Sequence, residues 1–77
     1  MTITVKFFAR LREELGSDTI NIEADNIDDV RSTWVKATGR SELPPNTFCA
    51  INQQHAKLNQ AVKDGDEVAF FPQITGG

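Results

Sequence analysis

The sequence is poor in the residues that build chemistry into a small protein. One cysteine, Cys49, and one histidine, His55, occur in 77 residues. A lone cysteine excludes an internal disulfide and any cysteine-based zinc or iron–sulfur site, and a lone histidine leaves no second imidazole for a two-histidine metal site. No metal site is expected. Basic residues are also short: eight Lys and Arg against eleven Asp and Glu give a net charge of −3. A nucleic-acid binder needs a basic face, so no nucleic-acid partner is expected. With 39% hydrophobic and 25% charged residues, the chain is neither a disordered tail nor a membrane span. The opening residues Met1-Thr2-Ile3-Thr4-Val5-Lys6 lack the charged and apolar segments of a signal peptide, so no membrane association and a cytoplasmic location are expected. There is no internal repeat, low-complexity stretch or linker. A single domain over residues 1–77 follows, burying only about 60–65% of its unfolded surface. That leaves little room for a deep pocket, and a chain that is non-catalytic on its own fits better than a self-contained enzyme.

What is present is a sequence of short, well-punctuated elements. Ile3, Val5 and Phe7 alternate with Thr2, Thr4 and Lys6, the period of a half-buried strand. Leu11 and Leu15 sit at i,i+4 on a short helix, with Arg10 and Glu14 placed to pair, and Gly16 stands where a helix ends. Thr19-Ile20-Asn21-Ile22 reads as a strand returning beside the first. A longer helix follows, with Asp25 or Asn26 as its cap and Asp28 and Asp29 in its first turn. Its apolar face is Ile27, Val30, Trp34 and Thr38, with Val35 beside Trp34, and Gly39 is its stop. Residues 41–46, with Pro44-Pro45, form a loop; Thr47–Ile51 reads as a buried strand and Asn52-Gln53 as a turn. After a weakly patterned segment containing Leu58 and Val62, Asp64-Gly65-Asp66 is a turn. Glu67-Val68-Ala69-Phe70-Phe71 is the last strand, whose pairing Pro72 ends. The expected fold is α+β, a ubiquitin-like β-grasp: a mixed sheet with one long helix across one face and the Phe-rich first and last strands adjacent at its centre.

Two features exceed what a core requires. Phe7-Phe8 and Phe70-Phe71 put aromatics on both faces of strands that one helix covers on one face only. Phe7 and Phe70 are in phase with Val5 and Val68. Phe8 and Phe71 then point the other way, either as an interaction surface or beneath covering loops. The chain also closes with Gln73-Ile74-Thr75-Gly76-Gly77, for which no strand partner is evident. A flexible tail over residues 73–77 is expected. Two glycines without side chains let a terminal carboxylate thread a narrow channel and take up unusual backbone angles. The plainer reading is a frayed end.

These residues resemble a known family. Val5 to Gly16, Ala50-Ile51-Asn52-Gln53, and Asp64-Gly65-Asp66-Glu67-Val68-Ala69-Phe70-Phe71-Pro72-Gln73-Ile74-Thr75-Gly76-Gly77 are similar to the small, sulfur-carrying subunit of molybdopterin synthase, the MoaD family. The likeness runs end to end, strongest in the first sixteen and last fourteen residues and weakest from Ser32 to Asn46; Gln73 stands where many members have a second proline. The resemblance implies that Gly77 is the reacting residue. An ATP-dependent activating enzyme of the ubiquitin-activating type would adenylate it, sulfur would replace the AMP, and the resulting thiocarboxylate would give its sulfur to cyclic pyranopterin monophosphate. It further implies a large synthase subunit as partner, in a heterotetramer with two of each subunit, and ATP used by the activating enzyme with no cofactor bound to this chain. Gly76 would be the steric permit, Thr75 and Ile74 would line the channel, and Phe8, Phe71 and Pro72 would form the docking surface.

The remaining candidates read as structural. His55 stands alone in a polar turn, Cys49 within an apolar strand with no basic neighbour, and Asp64-Gly65-Asp66 lacks the rest of a calcium loop. Asp25, Asp28 and Asp29 mark a helix start, and Trp34 belongs to the core. Three other functions share the pattern: a sulfur carrier of the thiamin or tRNA-thiolation pathways, a ubiquitin-like protein modifier, and an interaction module with an inert tail.

Overall fold

Alternation along the first strand decides the architecture. In the computed structural model, which describes residues 1–23 and 25–72, Ile3, Val5 and Phe7 are buried, while Thr2, Thr4 and Lys6 face outward. In chain order the elements are β1 (Thr2–Phe7), α1 (Ala9–Leu15), β2 (Thr19–Glu23), α2 (Val30–Thr38), β3 (Thr47–Ile51), β4 (Gln54–Ala56) and β5 (Glu67–Pro72). The strand order is β2-β1-β5-β3-β4. β1 and β5 are parallel and the other pairings antiparallel. With α2 against one face, this is the expected β-grasp with its two Phe-bearing strands side by side.

Both helices stop at glycine. Gly16 and Gly39 adopt φ of 75° and 73°, left-handed values that glycine reaches without a Cβ penalty, and each donates its amide back to the preceding turn. The start of α2 differs from expectation. Asp29, not Asp25 or Asn26, is the cap: its Oδ1 accepts the Ser32 amide at 2.8 Å. The next two free amides are taken by a strap formed by the weakly patterned segment. Val30 donates to the Gln60 carbonyl (3.1 Å) and Arg31 to the Leu58 carbonyl (3.0 Å), while Val62 returns a bond to the Asp28 carbonyl (3.3 Å). α2 is therefore shorter than its acidic run suggests. Ile27 is buried ahead of it, and Val35 lies exposed rather than on the inner face. The expected Arg10–Glu14 pair is not formed; among the described residues the ion pair is Lys6–Glu67.

Three aromatic rings centre the core. Trp34 meets Phe70 edge-on at 5.0 Å and Phe7 at 6.0 Å, and Phe7 stacks on Phe70 at 6.0 Å. The indole N–H of Trp34 donates to the Glu42 carbonyl at 3.1 Å, which ties the loop after α2 to the core. Thr33, the buried polar residue, donates its hydroxyl to the Asp29 carbonyl at 3.0 Å. At one end of the sheet the Asp64-Gly65-Asp66 turn fastens three strands. Asp64 accepts the Thr2 amide (2.7 Å), and Asp66 accepts from Lys63 (2.8 Å) and from the Asn52 side chain (3.0 Å). Asn52 in turn accepts the Glu67 amide at 2.9 Å. Asn52 and Gln53 both have positive φ, the geometry of a two-residue hairpin turn, here joining β3 to β4. The two acids thus serve the turn. No helix among the described residues is long and apolar enough to cross a membrane.

Cys49 is buried on β3 and donates its thiol to the Ala56 carbonyl at 3.1 Å. Desolvation raises its pKa, the opposite of what a reactive thiol needs. Two outcomes follow for the fold. Trp34→Ala should lose about 3–5 kcal/mol in urea unfolding. That is a large share of the roughly 4–12 kcal/mol typical for this length. Trp34→Phe should lose less, because it keeps an aromatic ring in the core and gives up the bond to Glu42 and part of the indole's volume. Because the folded Cys49 thiol titrates above the unfolded one, its neutral form supports the fold at and below neutral pH. That support should fade as pH rises past the unfolded thiol's ordinary value of about 8.5. Native protein should then resist alkylation at about pH 8 and react at once in denaturant, as followed by mass spectrometry.

Candidate functional site

The register of the central ladder places Phe7 opposite Phe70. Each is followed by a phenylalanine that must face away from α2, because side chains alternate along a strand. The Phe8 amide donates to the Phe70 carbonyl at 3.2 Å, so Phe8 stays beside β5 as β1 ends. Phe8 and Phe71 therefore reach the same side of the sheet, the face that α2 leaves open, and both line one shallow concavity there. Phe8 is 48% exposed and Phe71 half-buried, so no loop covers Phe8. The covering-loop alternative fails for it.

Neighbouring strands extend this face. Phe48 on β3 is cross-strand to Phe71, with ring centroids 6.3 Å apart, and is 41% exposed. His55 on β4 sets its ring edge-on to Phe71 at 5.7 Å. Ala50 and Ala69, paired across β3 and β5, form a low floor between these larger side chains. Toward the start of β5 the face becomes charged, where Lys6 Nζ and Glu67 Oε2 lie 3.5 Å apart, both partly exposed. That geometry contributes little to stability, since solvent screens both groups.

Pro72, the last residue of β5, pairs with Thr47 at the aromatic end of the sheet. Phe8 and Phe71 line one concavity, whereas Pro72 follows Phe71 in the strand and does not line it. Ile74, Thr75, Gly76 and Gly77 lie outside the described residues. Reading from sequence missed two members of the face. Thr47–Ile51 reads as wholly buried because both of its faces are apolar, yet Phe48 points outward; the alternation from buried Cys49 was the available signal. His55 is assigned by sequence to a polar turn but sits on β4, where it is exposed. A three-residue strand carries no readable period.

Among the described residues no group of three His, Cys, Asp or Glu side chains is placed to hold a metal. The face has an apolar, aromatic centre, a polar edge and no nucleophile paired with a base. Such a surface has the anatomy of a binding face.

Comparison with known proteins identifies the family. Residues 5–77 match the ThiS family. The chain is 40% identical to the molybdopterin synthase sulfur carrier subunit of Haemophilus influenzae, with 97% of this chain and 99% of that protein covered. Its fold superposes on the small archaeal modifier protein 1 of H. volcanii with a TM-score of 0.81 at 27% identity, covering 95% of this chain and 98% of that one. It also superposes on a chain of the complex of subunits 1 and 2 of the molybdopterin-converting factor from Helicobacter pylori, with a TM-score of 0.66 at 25% identity and full coverage of both. By sequence along its length and by fold, the chain belongs to the ThiS family and is a relative of the sulfur carrier subunit of molybdopterin synthase.

Proposed function

We propose that this chain is a sulfur carrier for molybdopterin synthesis, with Gly77 as the residue that bears the sulfur. The observation that carries this reading is the likeness to the molybdopterin synthase sulfur carrier subunit, which covers 97% of this chain. The family match also runs through Gly76 and Gly77. A free carboxylate is a poor electrophile. Attack of the Gly77 carboxylate on the α-phosphate of ATP, at an activating enzyme's site, expels pyrophosphate and leaves a mixed anhydride with AMP. A sulfur nucleophile then displaces AMP, and the product is a thiocarboxylate, a soft nucleophile ionised at neutral pH. Its sulfur passes to cyclic pyranopterin monophosphate on the large synthase subunit.

The fold suits this work. From Pro72, five further residues reach at most roughly 17 Å, enough to enter a partner's pocket while the body stays docked. Gly76 and Gly77 need the least room there, with Thr75 and Ile74 following along the channel. Docking by Phe8, Phe71 and Pro72, now joined by Phe48, raises the effective concentration of the thiocarboxylate at the substrate. The H. pylori relative was solved as a complex of two subunits, which supports a large-subunit partner here, and a heterotetramer with two of each is the assembly we assign. A second reading, a protein modifier that forms isopeptide bonds through Gly77, has the H. volcanii relative in its favour.

Incubation with the activating enzyme, ATP and a sulfur source should exchange one oxygen for sulfur at the C-terminus, as read by intact mass. Deletion of Gly77 should leave the unfolding curve unchanged and abolish both the exchange and sulfur transfer. An unchanged wild-type mass counts against the carrier, and lysine-linked conjugates favour the modifier. Phe71→Ala should weaken binding to the large subunit by at least about tenfold in calorimetry, the scale of a central aromatic anchor, without unfolding the chain. Wild-type affinity in that variant would remove Phe71 from the interface.

A further inference from the structure

We propose that His55 belongs to the docking face and must be unprotonated for the large subunit to seat, so that docking weakens as the pH falls. This inference rests on the docking reading above. The His55 ring stands 5.7 Å from Phe71, edge-on at 79°, and lines the same concavity as Phe8. Its cross-strand neighbour is Ala50, too small to cover it. A partner that closes over Phe71 therefore closes over the imidazole too.

Among the groups lining the concavity, the one carboxylate is already paired. Among the described residues, no side-chain hydrogen bond or ion pair engages the ring. The charged groups that line the concavity are Lys6 on β1 and Glu67 on β5, and these two are paired with each other at 3.5 Å. β3 presents Phe48 and Ala50 to this face, and β4 presents no charged side chain besides His55. An imidazolium carried into the interface would lose its water and gain no carboxylate already committed to it. Both forms keep the contact with the Phe71 ring, and only the neutral form escapes the cost of dehydrating a charge. The docked state thus selects the neutral form. By linkage, affinity then falls as the pH is lowered, because protonation of an imidazole competes with docking.

The test is calorimetric titration of the full chain with the large synthase subunit of the same organism, at about pH 7.5, 6.5 and 5.5. Wild type should lose at least about fivefold more affinity across this range than His55→Leu, which cannot be protonated at that position. At about pH 6.5, repeating the titration in buffers of different ionisation enthalpy should show proton release on binding for wild type and less for His55→Leu. Equal pH slopes and equal proton release in the two proteins overturn the inference while leaving docking intact. No binding by wild type at any of the three pH values overturns the docking reading, and the inference with it.

Discussion

The parallel ladder between β1 and β5 brings the two ends of the sequence into register, with Val5 opposite Val68 and Phe7 opposite Phe70. On the inner side this pairing builds the floor on which Trp34 packs, and on the outer side it sets Phe8 and Phe71 near one another. Core and exposed aromatic face are two consequences of one hydrogen-bonded pairing. A slip of one residue in β5 would exchange its two sets of side chains, exposing Val68 and Phe70 while burying Glu67. Burial of the inner set makes that slip costly, so the register is held by the same apolar contacts that stabilise the fold.

The sheet also has a division along its length. At one end, the turn at Asp64-Gly65-Asp66 joins the start of β1, the β3–β4 hairpin and the start of β5 by short hydrogen bonds from backbone and side chains. At the other end, where β1 and β5 finish, the exposed groups are aromatic. Among the described residues, the short side-chain hydrogen bonds cluster at the end away from these rings. A small domain gains from that arrangement: the body is fixed by local bonds, and the exposed aromatic rings are gathered on one face.

Much of this was legible in the residues. Alternation in Thr2–Phe7 and Glu67–Phe71 located the central strands, and Gly16 and Gly39 located both helix ends. The outward direction of Phe8 and Phe71 followed from Phe7 and Phe70 being in phase with the core. What could not be read depended on tertiary choices. Asp25, Asn26, Asp28 and Asp29 are all competent caps. The strap from Leu58 to Val62 supplies acceptors only to a helix that begins at Val30. Val35 is exposed because α2 is short and its rotation is set by Trp34, not by the full apolar set. Phe48 and His55 join the face through cross-strand pairing with Phe71 and Ala50, a relation absent from local pattern. The residues assigned to the tail owe their reading to the family resemblance and to the chemistry of a side-chain-free terminus.

The placement of β5 bears on how the chain acquires its structure. It is the last strand in sequence and the middle strand in space, with β1 and β2 to one side of it and β3 and β4 to the other. Until it is in place, two hairpin-like halves face each other across a gap, neither with a complete inner surface for Trp34. Loss of β5 therefore removes the keystone and not an edge, and no stable partial domain is available as a resting point. The protein should acquire its fold in a single concerted step, paced by the closure of its longest loop.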